Sequence, residues 1–407
     1  MNILVVCQYY YPEQFRINDI CKHLVRDGHS VTVLTGLPNY PGGKVSSEYR
    51  WFRKRKEIIN GVRVIRCFEI GRGKGSIHLA LNYLSFMISA SLRALFIGKD
   101  FDIVFINQLS PITMVVPAIV YKKTYNKKLF LYCLDLWPDS IAAAGIQRES
   151  VIYNLLYRVS KKIYNYVDKI AVTSKSFSIY FEKVLKIRSH NIVYLPQYAE
   201  KIFDKVEVNR PDKNVTNLVF AGNIGEMQSV ETIVLAANEL KQREDIQFHV
   251  VGGGSLLGKC KQLSKDLNLA NIRFYGQRPL TEMPGFYKLA DAMLITLKKN
   301  EFISYTLPGK IQTYMAVGKP ILGSIDGEAK RVIDDAQCGL CCEAEDYNAL
   351  AGIIDEFIRD KSKQKQYSEN SYKYYRENFN ELVFFEKLYS LFSELMEEQP
   401  CSQTKPY

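Results

Sequence analysis

The sequence is poor in the residues that build metal centres and disulfide frameworks. It holds five histidines, two tryptophans and nine cysteines in 407 residues. The cysteines follow no paired spacing, and the start MNILVVCQYY has neither a basic segment nor a small-residue cleavage site, so we expect a reducing compartment and no secretory signal. Only Cys338, Cys341 and Cys342 cluster, as CxxCC, and the scattered histidines offer no partners for them. We therefore expect no metal and no other cofactor.

Low-complexity segments and internal repeats are also absent, which excludes solenoids and largely disordered chains. A single compact core usually holds roughly 100 to 200 residues, so 407 residues predict two domains. We predict a first domain over 1–200 and a second over 201–379. An amphipathic segment at about 380–398 is expected to pack back on the first domain, and a flexible tail is expected over 399–407.

Acidic residues are outnumbered, and the formal net charge of +11 indicates an anionic partner. Basic residues crowd the range 50–74, directly before an apolar run at 77–98 that Asn82, three serines and Arg93 interrupt. These interruptions predict an amphipathic helix at an anionic membrane surface rather than a bilayer span. A core helix beside a solvated charge run is an equal alternative. No nucleic-acid motif accompanies the basic residues, so we expect no nucleic-acid partner.

Short, β-branched apolar runs alternate with helical segments in both halves. The predicted strands are NILVVC, SVTVLT, VRVIRC, DIVFIN, KLFLYCLD and KIAVTS, then NLVFAG, IQFHVVGGG, IRFYG, AMLITL and KPILGS. Strands this apolar are buried on both faces, as in parallel sheets covered by helices. Ser110 and Pro111 predict a helix start between two of them. The fold class we predict is α/β, with two Rossmann-like, doubly wound parallel-sheet domains that face each other across a ligand-binding cleft.

Two glycine-containing turns and one lysine-bearing turn follow strands of the second half. In AGNIGEMQS, small residues let a ligand approach the backbone while helix N–H groups face an anion. HVVGGGS is no GxGxxG fingerprint, and a plain tight turn is equally consistent with it. In LPGKIQTYMAVGKP, Lys310 follows a turn and stands at a helix start, which suits a phosphate. A solvated surface lysine is the alternative.

Candidates for acceptor binding lie in the first half. Asp135, in LDLWPDS, ends an apolar strand, where a carboxylate orients an acceptor hydroxyl or a donor sugar, and Trp137 suits stacking on a sugar ring. A helix-capping Asp beside a packed Trp is the alternative. The other candidates follow the first two strands, in stretches that also read as plain loops: Glu13, Arg16, Asn39 and Tyr40.

Eight segments carry a family resemblance, in order along nearly the whole chain: QYYYPEQFRI, DGHSVTVLTGLPNYPGG, LDLWPDSI, FAGNIGEMQS, VVGGG, YGQRP, LPGKIQTYMAVGKPIL and DGEAKRVI. They resemble the retaining glycosyltransferases of family 4, with the GT-B fold, in the branch that builds bacterial capsule, O-antigen and colanic-acid-type polysaccharides. The resemblance implies a metal-independent hexosyltransferase with a nucleotide-sugar donor, UDP before GDP. The basic and amphipathic segments add a polyprenyl-diphosphate-linked saccharide acceptor and a peripheral position at the cytoplasmic face of the membrane.

The resemblance also assigns roles to residues. It assigns Lys310 to the phosphate charge of the donor, places Arg278 near the nucleobase and turns Gln312 and Thr313 towards the ribose. Together with Asp135, which its strand-end position indicates, Lys310 is predicted to be catalytic. By resemblance, the donor diphosphate would be lined by Gly222, Asn223, Gly225 and Gln228, beside Lys310. The turns read from the sequence add Gly253, Pro308 and Gly309 to the predicted donor site.

Two departures from the family pattern stand out. Asn223 and Gln228 replace an Arg and a Lys, and Tyr305 and Thr313 replace two glutamates eight residues apart. Glu328 is then the candidate substitute for ribose contact. A non-hydrolysing sugar-nucleotide epimerase and a non-catalytic nucleotide-sugar-binding protein are the alternative functions, since fold alone does not choose among them.

Overall fold

The computed structural model describes residues 1–51, 53–143, 145–203 and 215–397, and the tail predicted over 399–407 lies outside these ranges. The chain divides into two compact units. The first comprises Met1–Thr173, Phe177–Leu195 and the described residues from Leu388 onward. The second comprises Ser174–Ser176 and the described part of Pro196–Lys387.

The described part of the first unit contains a sheet of eight strands in the order β3-β4-β2-β1-β5-β6-β7-β8. Its pairs are parallel except β3 with β4, which form an antiparallel hairpin at one edge. The strands are β1 (Asn2–Val6), β2 (Ser30–Thr35), β3 (Lys56–Ile59), β4 (Val62–Arg66), β5 (Ile103–Gln108), β6 (Lys128–Cys133), β7 (Lys169–Val172) and β8 (Ile192–Tyr194).

Helices connect these strands. They are α1 (Arg16–Arg26), α2 (Ser76–Ala94), α3 (Val116–Tyr125), α4 (Asp139–Ala143), α5 (Val151–Asn165) and α6 (Lys175–Lys183). The helix start predicted at Ser110 and Pro111 is wrong, because a 3-10 turn at Ile112–Val115 precedes α3 and the Ser110 hydroxyl donates to Asp135 instead of capping a helix.

Helix α2 buries a narrow face and exposes an apolar one. Asn82, Phe86, Ala90 and Ala94 are buried, at helical spacing. The exposed apolar face is formed by Ile77, Leu81, Leu84, Ile88, Leu92 and Phe96, the last just beyond the helix end. Among the residues the structure describes, no helix is both long and apolar enough to cross a membrane.

The second unit contains a parallel sheet in the order β11-β10-β9-β12-β13-β14. Along β9, Leu218 and Phe220 belong to one hydrophobic core while Val219 and Ala221 belong to another, so both faces of the sheet are covered. The strands are β9 (Thr216–Ala221), β10 (Ile246–Val251), β11 (Ile272–Gly276), β12 (Ala292–Thr296), β13 (Ile321–Ser324) and β14 (Gly339–Cys342).

The helices of this unit follow its strands in turn. They are α7 (Glu231–Glu239), α8 (Leu257–Asp266), α9 (Met283–Leu289), α10 (Glu301–Ser304), α11 (Gly309–Ala316), α12 (Gly327–Ala336), α13 (Tyr347–Arg359) and α14 (Lys361–Asn378). The prediction of two parallel-sheet α/β domains is confirmed, with the antiparallel strand β3 as an addition.

The last described helix, α15 (Glu381–Glu397), runs from the second unit into the first. Within the first unit, the Phe392 ring lies 5.7 Å from Phe105 and 5.0 Å from Phe130, centroid to centroid. The Tyr389 hydroxyl donates to Asp27 at 2.7 Å. Residues of α15, near the other end of the described chain, therefore complete the hydrophobic core of the first unit.

Candidate active site

Each sheet has a point where the direction of winding reverses. In the second unit β9 lies between β10 and β12, and in the first unit β1 lies between β2 and β5. In open α/β sheets, ligands bind beyond the carboxyl ends of the strands at such a reversal. The loops that follow β9 and β12, and those that follow β1 and β5, are therefore where functional side chains are expected.

The loop after β9 is held against the loop after β10 by its backbone. The Gly222 amide donates to Val251 at 2.9 Å, and the Ile224 amide donates to Gly253 at 2.8 Å. Gly252 has φ of +150°, and a Cβ added there would lie 1.7 Å from the carbonyl oxygen of Gly222. Only glycine fits this approach.

The side chains of this loop mainly stabilise it. The Gln228 Oε1 atom accepts hydrogen bonds from the Asn223 amide at 3.1 Å and from the Gly225 N–H at 3.2 Å. The Thr296 hydroxyl donates to the Gln228 carbonyl at 2.6 Å. Asn223 and Gln228 thus fix the loop but bring no charge to it. Its described ion pair is exposed, between Glu226 and Lys298 at 2.6 Å.

Lys310 supplies a cation beside this loop. It stands in the first turn of α11, after the N-cap residue Pro308. The stem of the side chain is partly exposed, but the Nζ atom is buried and has no hydrogen-bond partner among the described residues. Nζ lies 4.1 Å from the centre of the Phe220 ring and faces Gly222, where an added Cβ would be 2.9 Å away. Burial lowers the pKa of Lys310 to about 7.

A buried ammonium group without a partner is costly, and a bound anion removes that cost. Nearby, the backbone N–H groups that open α11 carry partial positive charge. The arrangement can therefore bind a phosphate or diphosphate group between Lys310 and the glycine loop.

The side chains of Gln312 and Thr313 turn back towards the start of their own helix. Both are buried. With its amide oriented to donate, Gln312 bonds the carbonyls of Pro308 at 3.0 Å and Gly309 at 3.2 Å, and the Thr313 hydroxyl donates to Gly309 at 3.2 Å. The expectation that they face the ribose is not supported, because both side chains satisfy carbonyls at the start of their own helix.

Glu328 is likewise engaged within the second unit. It is fully buried and accepts hydrogen bonds from the Lys175 N–H at 2.9 Å and the Ser176 hydroxyl at 2.7 Å. It also pairs with Arg331. Its carboxylate oxygens are occupied, so the geometry does not support a ribose contact in this arrangement. Arg278 is exposed after β11, and its Nε atom donates to the Tyr275 carbonyl at 3.2 Å.

In the first unit, Asp135 lies after β6 in a compact polar group. Its carboxylate accepts a hydrogen bond from the Ser110 hydroxyl, which itself accepts one from the Trp137 indole N–H at 2.9 Å. Burial raises the pKa of Asp135, and the hydrogen bond from Ser110 opposes that effect. Trp137 is buried, so the expectation that its ring stacks on a sugar is not supported.

Glu13 and Asn39 hold loops together. The Glu13 carboxylate is buried and accepts hydrogen bonds from the backbone N–H groups of Asn39 at 2.7 Å and Tyr40 at 2.5 Å. Burial raises the pKa of Glu13, against the effect of these bonds. Asn39 is also buried, whereas Tyr40 is 47% exposed and Arg16 is the partly exposed first residue of α1. Of these four, Tyr40 is the one whose side chain is most open to an acceptor.

A buried carboxyl, Glu69, joins the loops after β1, β2 and β4 to helix α2. It accepts hydrogen bonds from the Gln8 amide at 2.8 Å, from the Asn39 amide at 3.2 Å and from Asn82. Burial raises the pKa of Glu69 to about 8, although these hydrogen bonds act in the opposite direction.

Arg72 follows Glu69 and faces two aromatic rings. Its guanidinium carbon lies 5.9 Å from the Tyr9 ring centre and 5.5 Å from that of Tyr40. Its Nη1 atom donates to the Tyr9 hydroxyl at 3.2 Å. A cation between two rings beside exposed Tyr40 suits an anionic, ring-containing ligand.

Two family models match consecutive parts of the chain. "Glycosyltransferase Family 4" matches residues 15–197, and "Glycosyl transferases group 1" matches residues 201–374. The chain belongs to the family 4 glycosyltransferases. This membership decides for a glycosyltransferase over the epimerase and the non-catalytic binding protein.

Two bacterial proteins named as a probable and a putative glycosyltransferase, and one solved structure, are similar to this glycosyltransferase. WbjE of Pseudomonas aeruginosa is 28% identical over 71% of the chain and 75% of its own length. WcaI of Escherichia coli, named for colanic acid biosynthesis, is 24% identical over 89% of the chain and 93% of its own length. Anabaena HepE in complex with UDP superposes with a TM-score of 0.71 at 14% identity, over 97% of this chain and 100% of that one, which supports the fold.

Glu69, Arg72 and Tyr9 of this glycosyltransferase, which the structure places at the loops after β1 and β4, were not among the residues that the sequence predicted. Tyr9 follows the end of β1, and Glu69 and Arg72 follow the end of β4, in the loops at the carboxyl ends of predicted strands, where ligands bind in such sheets. That position was the available signal.

Proposed function

We propose that this glycosyltransferase transfers a hexose, with retention of configuration and without a metal, from a UDP-sugar to a lipid-linked saccharide during bacterial surface polysaccharide assembly. A GDP-sugar is the second choice of donor. The observation that carries the proposal is the buried, unpartnered ammonium group of Lys310 beside the loop at Gly222. A nucleoside diphosphate would supply the negative charge and the hydrogen-bond acceptors that this ammonium group lacks.

The proposed chemistry uses few protein groups. Lys310 and the N–H groups at the start of α11 would stabilise the leaving diphosphate as negative charge develops on it. The diphosphate oxygen would then accept the acceptor proton on the same face of the sugar, so that no enzyme nucleophile is required. Asp135, held by Ser110, would orient the sugar or the acceptor hydroxyl.

The names of similar proteins support the proposed donor and the proposed polysaccharide product. HepE has been solved with UDP and with UDP-glucose, the latter at a TM-score of 0.68, and WcaI is named for colanic acid, a polysaccharide. For the acceptor, the exposed apolar face of α2 beside the basic range 50–74 supports a lipid-linked substrate and a peripheral position at the inner face of the membrane.

Calorimetric binding of UDP and GDP to the purified chain tests the donor site. The Lys310→Met variant is expected to lose at least about tenfold in UDP affinity, since a charge-assisted hydrogen bond contributes about 1.5–3 kcal/mol. Lys298→Met is the matched control, because Lys298 is an exposed cation at the same loop, paired with Glu226. Equal losses in the two variants, or no binding of either nucleotide to the native chain, would refute the proposed donor site.

A further inference from the structure

A basic pocket lies in the first unit, at the β3–β4 hairpin and the second half of α2. It has a volume of about 420 Å³. Ile65 and Phe68 contribute apolar walls, and Ser89 contributes a hydroxyl. Four cationic side chains line it: Arg55, Lys56, Arg66 and Arg93. Three of these four cations, Arg55, Lys56 and Arg66, belong to the basic range 50–74, but the proposed function does not assign the pocket itself a ligand.

The charges in the pocket are incompletely compensated. Arg66 is only 4% exposed; its Nε atom pairs with Glu57 at 3.0 Å and its Nη2 atom donates to the Tyr11 carbonyl at 2.7 Å. Its Nη1 atom, and the Nε atom of Arg93, are buried and have no hydrogen-bond partner among the described residues. For Lys56 and Arg93, no ion pair is found in the part of the chain that the structure describes.

Buried guanidinium donors without acceptors are costly, and they favour a ligand that brings oxygen atoms and negative charge. A phosphate group meets both requirements, because the planar guanidinium fork matches its oxygen atoms. A fatty-acid carboxylate would also contact the apolar walls, but its two oxygen atoms would leave some of the guanidinium N–H groups without an acceptor.

The surroundings of the pocket indicate where that phosphate comes from. Ser89 and Arg93 line the pocket from α2, and their helix neighbours Ile88 and Leu92 belong to the exposed apolar face. A headgroup in the pocket therefore has an apolar surface next to it for acyl chains. A free phosphate ion would gain nothing from that surface.

We infer that this pocket binds the phosphate of an anionic lipid headgroup, with the lipid chains against the exposed face of α2. The inference rests on the proposed function, because it gives the proposed membrane contact a defined site. It differs from attraction by net charge alone, which needs no pocket and no particular pair of residues.

Vesicle binding by the full chain tests the inference. The vesicles contain phosphatidylcholine alone or equal parts of phosphatidylcholine and phosphatidylglycerol, and bound protein is measured after sedimentation. The pocket variant carries Lys56→Gln and Arg93→Gln. The control carries Arg53→Gln and Lys74→Gln, which removes the same charge from exposed positions outside the pocket.

The pocket variant is expected to lose at least about tenfold more affinity for the phosphatidylglycerol vesicles than the control, because it loses charged hydrogen bonds as well as surface charge. Equal losses would overturn the pocket in favour of surface charge alone. A Leu92→Ser variant should also bind these vesicles less tightly, since it removes apolar contact but no charge.

Two further measurements separate the possible outcomes. Calorimetry with inorganic phosphate and with soluble dihexanoyl phosphatidylglycerol compares the sources of phosphate; equal affinity for both would overturn a lipid site. UDP binding, measured on the pocket variant, is expected to match that of the native chain because Lys310 belongs to the second unit. Normal UDP binding without any pocket effect refutes this inference alone, whereas absent UDP binding in the native chain refutes the proposed function.

Discussion

At the scale of single residues, the buried ammonium group of Lys310 costs the fold stability, and the proposed donor site gives that cost a purpose. Its pKa is about 7 in the folded chain, lowered by burial from its ordinary value of 10.5. Between these two values the unfolded chain binds more protons than the folded one, so this lysine destabilises the fold increasingly as the pH falls from about 10.5 to 7.

Lys310→Met should therefore raise the free energy of unfolding at pH 7, by up to about 4 kcal/mol. The gain should shrink as the pH rises towards 10, where native Lys310 is neutral in the folded chain. Urea unfolding followed by circular dichroism at pH 7 and pH 10 measures it. Lys298→Met, on an exposed side chain, should show no comparable gain; a Lys310→Met variant less stable than native at pH 7 would contradict the burial argument.

Glu69 has the opposite effect on the pH dependence of stability. Its folded pKa of about 8 exceeds the ordinary 4.5, so the folded chain holds the proton more tightly and native stability falls as the pH rises from about 4.5 to 8. Glu69→Gln removes this titration. Its stability relative to native should increase with pH over that window, by at most about 1.4 kcal/mol per pH unit.

Urea midpoints followed by tryptophan fluorescence test this slope, because both tryptophans, Trp51 and Trp137, lie in the first unit. Glu48→Gln is the control: Glu48 is exposed and its pKa is lowered by Lys54, so its titration lies below the window. A stability difference for Glu69→Gln that stays constant from pH 5 to pH 8 would show that the carboxyl is ionised throughout.

At the scale of elements, the loop after β10 has room only for glycine at position 252, whereas helix α8, which follows it, has room for a larger residue at position 258. A Cβ at Gly252 would meet the Gly222 oxygen at 1.7 Å, whereas a Cβ at Gly258, in α8, has nothing within 4 Å. Gly252→Ala should destabilise the second unit by several kcal/mol and weaken UDP binding. Gly258→Ala, at the second position of α8, should stabilise it slightly, by at most about 0.5–1 kcal/mol, the value for alanine in a helix interior. Thermal unfolding compares the two; equal effects would contradict the close approach.

Apolar, β-branched runs predicted most of the strands. Three strands, β3, β8 and β14, were not predicted. Strand β3 is half exposed and alternates, KEII, so it lacks the continuous apolar run of a buried strand. The turn after it, Asn60–Gly61, has positive φ at both residues, and this pair is a hairpin signal. Strands β8 and β14 are short edge strands of three and four residues, only partly buried.

The glycine loop and Lys310 were identifiable from sequence because backbone approach and a helix start have local signatures. The roles of Gln312, Thr313 and Glu328 were not, because hydrogen bonds to their own helix or to distant residues decide which way these side chains turn. Glu69 escaped for a related reason: its partners come from positions 8, 39 and 82, which only the tertiary fold brings together.

At the scale of the whole molecule, the two units have separate sheets. Chains with two such units commonly unfold in more than one step. We expect urea curves from tryptophan fluorescence, which follows the first unit, to differ from those of circular dichroism, which follows both. UDP should move the unfolding transition of the second unit, which only circular dichroism detects, to higher urea concentration. Coincident curves with and without UDP would instead indicate a single cooperative unit.

Helix α15 sets an order of events during synthesis on the ribosome. The rings of Phe105 and Phe130 emerge early, but Phe392, which packs against both, is translated only after the whole second unit. The nascent first unit therefore waits with an uncovered apolar surface while nearly two hundred further residues are added. We therefore expect the first unit to reach its native state last although its sequence comes first, because Phe392 is translated after the second unit.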